Sequence, residues 1–115
     1  MIELKVYRNA FGKEPFTEWL NGLRSKAAQA RIATVLMRLQ AGNAGDCKSI
    51  GHGVQEIRVH MEAGYRVFFG HDGQELVIIL AGSDKSDQKR EIIKAIKYWQ
   101  DYKRQKAGGS QHQGG

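Results

Sequence analysis

The sequence predicts an α+β domain of element order β-α-α-β-β-β-α, with a mostly antiparallel four-stranded sheet. Three observations lead there. Period-two apolar alternation opens the chain at Ile2–Tyr7 and returns between Val54 and Ala81, flanking turn-forming residues. Helix-period apolar stripes fill the interval from Pro15 to Gln40. A last helical stripe closes the domain around Ile92, Ile96 and Trp99. Strands gathered together, with helices before and after them, give this class rather than an alternating parallel sheet.

In the opening strand Ile2, Leu4 and Val6 alternate with Glu3 and Lys5. Pro15 suits the first turn of a helix, where its missing N–H is not needed. Phe16, Trp19, Leu20 and Leu23 then fall at i, i+3, i+4 and i+7, so Trp19 reads as core. Ser25 caps a second helix over Lys26 to Gln40, whose buried stripe is Ala28, Ile32, Val35, Leu36 and Leu39. Arg24, Arg31 and Arg38 recur every seven residues on its flank, exposed to solvent, RNA or a partner. Gly42 to Gly53 carries four glycines and reads as a loop holding Lys48 and His52. It is no phosphate-binding loop, because no strand precedes it and no Gly-Lys-Ser/Thr follows.

Val54–His60 and Tyr65–Phe69 form a hairpin through Met61-Glu62-Ala63-Gly64. The register that places Ile57 and Val59 on one face with Tyr65, Val67 and Phe69 sets Arg58 opposite Arg66. Facing like charges cost stability, so the pair suits a site that receives an anion, and a nucleic-acid phosphate fits. The competing reading makes each a surface arginine satisfied by Glu56 or solvent. Asp72-Gly73 is a two-residue hairpin signal into a strand Glu75–Ala81, with Phe69 expected opposite Leu76, Val67 opposite Ile78 and Arg66 opposite Ile79. The two early helices should cover Ile57, Val59, Tyr65, Val67, Phe69, Leu76, Ile78 and Leu80. The other face would carry Glu56, Arg58, His60, Arg66, Phe68, Val77 and Ile79 as a cleft partly closed by the last helix. That helix is expected over Ser86 to Lys103, with Ser86 as N-cap, Asp87 at the positive dipole end and Lys103 at the negative one. A domain of residues 1–106 and a flexible glycine-rich tail, 107–115, complete the organisation.

At 115 residues the chain has room for one core. No apolar run approaches the ~20 residues of a membrane span and no signal-peptide core opens the chain, so the cytoplasm is the expected compartment. Cys47 stands alone, which excludes an internal disulfide and a multi-cysteine zinc site. No paired-carboxylate, serine-nucleophile, metal or cofactor constellation is present. Net charge is +6, which favours polyanionic partners. Lys85 to Lys106 holds eight basic against three acidic residues and so most of that excess. Lys89, Arg90, Lys94 and Lys97 are therefore candidate RNA contacts, together with Lys48; a solvated helix face is the plainer alternative.

Gly64-Tyr65-Arg66-Val67-Phe68-Phe69, and above all Leu80-Ala81-Gly82-Ser83-Asp84-Lys85-Ser86-Asp87-Gln88 followed by Ile92-Ile93-Lys94-Ala95-Ile96-Lys97-Tyr98-Trp99, carry a family pattern. The chain resembles the HigB-like addiction module killer proteins of the RelE/ParE toxin superfamily, which also includes phage Gp49-like proteins. The resemblance spans about residues 2 to 104. It implies a RelE-like fold and a type II toxin–antitoxin toxin, neutralised by a small antitoxin, often a helix-turn-helix protein encoded beside it. It also implies an mRNA interferase, an endoribonuclease acting on ribosome-bound mRNA without metal. There the RNA 2'-hydroxyl attacks the adjacent phosphate and leaves a cyclic or 3'-phosphate with a free 5'-hydroxyl.

Such chemistry requires a base, cations around the pentavalent phosphate, and an acid at the leaving oxygen. By resemblance Arg66 matches the hairpin arginine that stabilises the phosphorane, through a guanidinium that stays charged and presents paired donors. Arg58 is a second phosphate clamp. Lys85 contacts phosphate or donates a proton, with Asp84 orienting it or ending the strand. His60 is the histidine on the polar face, of a residue type that exchanges protons near neutral pH; His71 reads as structural. Tyr98 and Tyr102 are candidates for stacking or donating near the cleft. No tyrosine aligns with the one some RelE-type enzymes use, which leaves the general acid unassigned. Two other functions share the fold: inhibition of DNA gyrase, as in ParE-like toxins, and nucleic-acid binding without catalysis.

Overall fold

In a computed structural model, which describes the backbone of residues 1–114 and the side chains of residues 1–108, alternation and helical period become β1 (Glu3–Val6), α1 (Pro15–Asn21), α2 (Lys26–Gln40), β2 (Cys47–Gly51), β3 (Val54–Val59), β4 (Tyr65–Asp72), β5 (Leu76–Ser83) and α3 (Gln88–Gly114). The α+β class stands. The sheet has five strands rather than four, ordered β1-β5-β4-β3-β2, with β1 parallel to β5 and every other pair antiparallel. The expected loop from Gly42 to Gly53 contains the extra strand. Cys47 pairs with Ile57 and Lys48 with Glu56, and a tight turn through Gly51, His52 and Gly53, all at positive φ, returns the chain into β3.

Both early helices lie where the sequence puts them. Pro15 opens α1, and the Ser25 hydroxyl caps α2 by accepting from Ala28 N at 3.1 Å. Trp19 rests so closely on β5 that a Cβ on Gly82 would lie 2.2 Å from its ring. On the opposite face, Trp99 of α3 leaves no room for a Cβ on Gly70.

The hairpin of β4 and β5 differs from expectation. Asp72 pairs with Leu76, so the loop is the three residues Gly73, Gln74 and Glu75, with Gly73 at φ 76°. A bulge follows: Phe69 pairs with Ile79 and Phe68 with Ala81, leaving Leu80 as the extra residue. The longer loop reverses the parity of β5 relative to β4. Val77 and Ile79 therefore join Ile57, Val59, Val67 and Phe69 under α1 and α2. Ile78 and Leu80, expected there, pack with Phe68, Val54 and Trp99 beneath α3.

The register across β3 and β4 is as read: Arg58 faces Arg66, Ile57 faces Val67 and Val59 faces Tyr65. The last helix starts later than expected. Asp87, whose carbonyl accepts from Glu91 N, holds the place assigned to Ser86. Most side chains of the segment expected as a flexible tail, 107–115, lie outside the described residues. Among the described residues, no helix is long and apolar enough to cross a membrane.

Candidate functional site

Alternation on β3 sends Glu56 and Arg58 to the α3 face, and alternation on β4 sends Arg66 there too. The two arginines differ sharply in environment. Arg66 is 8% exposed, whereas Arg58 is open to solvent. Glu56, fully buried, lies 3.5 Å from Arg66 Nε through Oε1 and accepts from Gln88 Nε2 at 2.8 Å through Oε2. This carboxylate thus joins β3, β4 and the start of α3. Arg66 Nη1 donates to the Gly64 carbonyl at 2.6 Å, which folds the guanidinium back over its own hairpin loop.

Ser83 is the cross-strand partner of Arg66 on β5, where Ile79 had been expected. Arg66 Nε, Glu56 Oε1 and Ser83 Oγ are all buried without a hydrogen bond, so the 3.5 Å contact is an ion pair and not a hydrogen bond. A pocket of polar atoms with unused hydrogen-bonding capacity thus lies directly behind the cleft. Sequence reasoning offered Glu56 only as the rival explanation of the arginines, and it passed over Ser83 and Gln88. The alternation Glu56-x-Arg58 was the available signal for Glu56; Ser83 required both the true loop length and the bulge at Leu80.

Lys85 reaches the same place through backbone geometry. Its N–H donates to the Ala63 carbonyl at 3.0 Å, pinning the segment before α3 to the hairpin loop. Gly64, at φ 65°, permits this approach, since a Cβ there would sit 3.2 Å from Lys85 Cβ. Asp84 shapes the segment. Its Oδ1 accepts from Ser86 N, Ser86 Oγ and Asp87 N, while Asp87 Oδ1 accepts from Asp84 N. The Ser86 hydroxyl is the main cause that holds the Asp84 carboxyl below its usual range, whereas burial pushes Asp87 up. Asp84 therefore fixes the turn that contains Lys85 through bonds to Ser86 and Asp87.

Arg58, Arg66, Lys85 and His60 line one cleft of about 370 Å³, closed at the sides by Met61, Gly64 and Tyr65. All four candidate catalytic residues therefore come together. His60 lies one residue past the end of β3, exposed at the rim, with Nε2 3.0 Å from Asp46 Oδ2. It is a rim group, not the sheet-face group that the sequence suggested.

The candidate RNA contacts divide. Lys89 and Arg90 line an adjoining hollow with Lys85 at the start of α3, where Arg90 pairs with Asp87 and Glu91. Lys48, exposed on β2, is opposite Glu56 in register and so shares its sheet face. Lys94 pairs with Glu91 at 3.2 Å and Lys97 is exposed one turn further on. Tyr98 stacks on Tyr7 at 5.0 Å. Tyr102 stacks on Trp99 and donates to Asp72 at 2.5 Å, at the end of β4 remote from Arg66, about 20 Å away at ~3.3 Å per strand residue. The structure thus places Tyr102 away from the cleft. Its hydroxyl, half-buried and tied to Asp72, has its pKa pushed up to about 12.

The family model described as "Phage derived protein Gp49-like (DUF891)" matches residues 18–107, which include every residue of the cleft. A protein of Haemophilus influenzae described as "Uncharacterized protein" is 42% identical over 80 residues, covering 70% of this chain and 81% of the relative. The extent of both matches places the chain in the Gp49-like family of phage-derived proteins.

Proposed function

We propose that this protein is the toxin of a type II toxin–antitoxin pair and cuts ribosome-bound mRNA by attack of the RNA 2'-hydroxyl on the adjacent phosphate. The observation that carries this reading is the convergence of Arg58, Arg66, Lys85 and His60 on one cleft. Membership of the Gp49-like family and the resemblance to RelE and HigB toxins support it. The nucleophile belongs to the substrate, so the protein must supply fixed positive charge and a path for protons.

In this reading Arg66, locked by Glu56 and Gly64, provides a preorganised charge at the back of the cleft. Arg58 and Lys85, both exposed, grip the phosphate oxygens as they gain charge. His60 at the rim exchanges the proton of the 2'-hydroxyl or of the leaving oxygen. The partner is a small antitoxin that covers the cleft or holds the toxin off the ribosome.

The test is induced expression with and without the neighbouring small open reading frame, followed by mapping of mRNA 5' ends. Wild type should arrest growth and generate new 5'-hydroxyl ends. Arg58→Ala and Lys85→Ala should each lose roughly a hundredfold or more in cleavage, as expected for removal of one preorganised donor, with the fold intact. Growth arrest with DNA damage and uncut mRNA would instead identify a gyrase inhibitor. Salt-sensitive nucleic-acid binding without arrest would identify a non-catalytic module.

A further inference from the structure

Arg31 and Arg38 flank Val35 at i, i+4 and i+7 on α2, one continuous helix face. Arg8, Arg66, Arg90 and Arg104 each have a carboxylate within 4.0 Å, whereas Arg31, Arg38 and Arg58 have none among the described residues. Arg31 and Arg38 line a second cavity, of about 110 Å³, whose wall also includes Asn43, Asp46, Arg58 and His60. The Asp46 carboxylate there lies 3.0 Å from His60 Nε2 through Oδ2 and is not within 4.0 Å of either helix arginine. Arg58 and His60 also line the catalytic cleft. The two cavities are therefore neighbours that share part of their walls.

We propose that this cavity is a second phosphate subsite, in which Arg31 and Arg38 hold the RNA backbone next to the nucleotide being cut. The assignment deepens the RNA-cleaving reading and rests on it. Guanidinium groups present paired donors to phosphate oxygens, and the cavity lining holds no Phe, Tyr or Trp on which a base could stack. The subsite therefore adds affinity without reading sequence, as phosphate contacts do. Two exposed guanidinium groups two turns apart on one helix face, neither with a carboxylate within 4.0 Å among the described residues, can converge on one phosphate. Continuity with the cleft favours a nucleic-acid strand over an acidic protein segment, because one polyanion then reaches both sites.

The test uses the full chain, the exposed double variant Arg31→Gln/Arg38→Gln, and two non-cleavable 2'-O-methyl RNAs, a trinucleotide and an octanucleotide. Wild type should bind the octanucleotide more tightly than the trinucleotide. The variant should lose roughly tenfold in octanucleotide affinity, and its slope of log affinity on log salt should shrink by about 0.7, the value for one lost single-strand phosphate contact. Trinucleotide binding should not change. Equal binding of the two lengths by wild type, or an unaltered salt slope in the variant, overturns the subsite. Loss of antitoxin neutralisation with RNA binding intact also overturns it and reassigns the pocket to a protein partner. Cleavage is measured separately on unmodified RNA: its absence in wild type removes the nuclease reading and leaves the binding comparison to decide the subsite.

Discussion

The buried ion pair of Glu56 and Arg66 makes a quantitative prediction about stability. The two groups are 0% and 8% exposed and lie 3.5 Å apart. At an effective dielectric of 20 their gross attraction is about 5 kcal/mol, most of it cancelled by the cost of removing both from water. The net value of the pair is therefore small, but the cost of breaking it is not. Glu56→Ala strands a buried guanidinium, and Arg66→Ala strands a buried carboxylate that Gln88 alone would face. Each should cost about 3–5 kcal/mol, a large part of the ~5–15 kcal/mol that holds a domain of this size together. The corresponding fall in Tm is roughly 10–20 °C. The double variant Glu56→Ala/Arg66→Ala removes both charges and should cost less than the two single variants together. Urea denaturation followed by the fluorescence of Trp19 and Trp99 gives all corners of the cycle. Single variants within about 1 kcal/mol of wild type, or a double variant as unstable as the sum of the singles, would refute the reasoning. If it holds, loss of toxicity in Arg66→Ala reports folding as much as chemistry, which is why the catalytic test rests on Arg58 and Lys85.

Gly82→Ala should destabilise by at least ~1–3 kcal/mol of overpacking, because its Cβ meets Trp19 at 2.2 Å and α1 must move; an unchanged melting temperature would contradict that packing. Asp84→Ala removes the acceptor of three hydrogen bonds ahead of α3. It should cost about 1 kcal/mol and reduce cleavage by releasing Lys85, and full activity in the variant would show that Lys85 needs no such support. Tyr102 has its pKa raised from 10.0 to about 12 by burial and by its bond to Asp72. Being raised, it contributes stability that is complete below pH 10 and lost as pH climbs through 12. Tyr102→Phe should therefore show a shallower alkaline decline, with ultraviolet tyrosinate absorbance and unfolding curves reporting the change; an identical decline would oppose the assignment.

Which parts of this molecule the sequence reveals depends on how local the determining physics is. Pro15 and Ser25 mark helix starts because capping is decided within one turn. The pairing of Arg58 with Arg66 is legible because the two strands share one apolar face and the short loop between them limits further slippage. The strand Cys47–Gly51 is not, since its polar residues and single glycine carry no alternation and it forms by adding to the exposed edge of β3. The faces of β5 are not legible either. That strand is apolar on both sides, so nothing in Leu76–Ala81 distinguishes a two-residue loop from the observed three-residue one. The parity of Ile78 was lost for that reason, and Ser83 faces Arg66 only because the bulge at Leu80 shifts the register by one more residue.

The same physics bears on the cost of setting two arginines face to face. From sequence, an external anion offered the simplest relief for both. The structure supplies an internal one, but only for Arg66, because Glu56 is drawn beneath the sheet to meet it and Gln88 occupies the other carboxylate oxygen. Arg58 retains no carboxylate within 4.0 Å among the described residues. One guanidinium is thereby held rigid and largely neutralised, while its neighbour stays exposed at the mouth of the cleft beside Lys85. A site made only of neutralised cations would hold a phosphate weakly, and one made only of free cations would resist folding. Dividing the two conditions between adjacent residues lets the fold form without ligand and still leaves charge for the proposed phosphate ligand. It follows that Arg58, more than the buried Arg66, should govern phosphate affinity, while Arg66 should govern whether Arg58 and Lys85 stand where a phosphate can meet both.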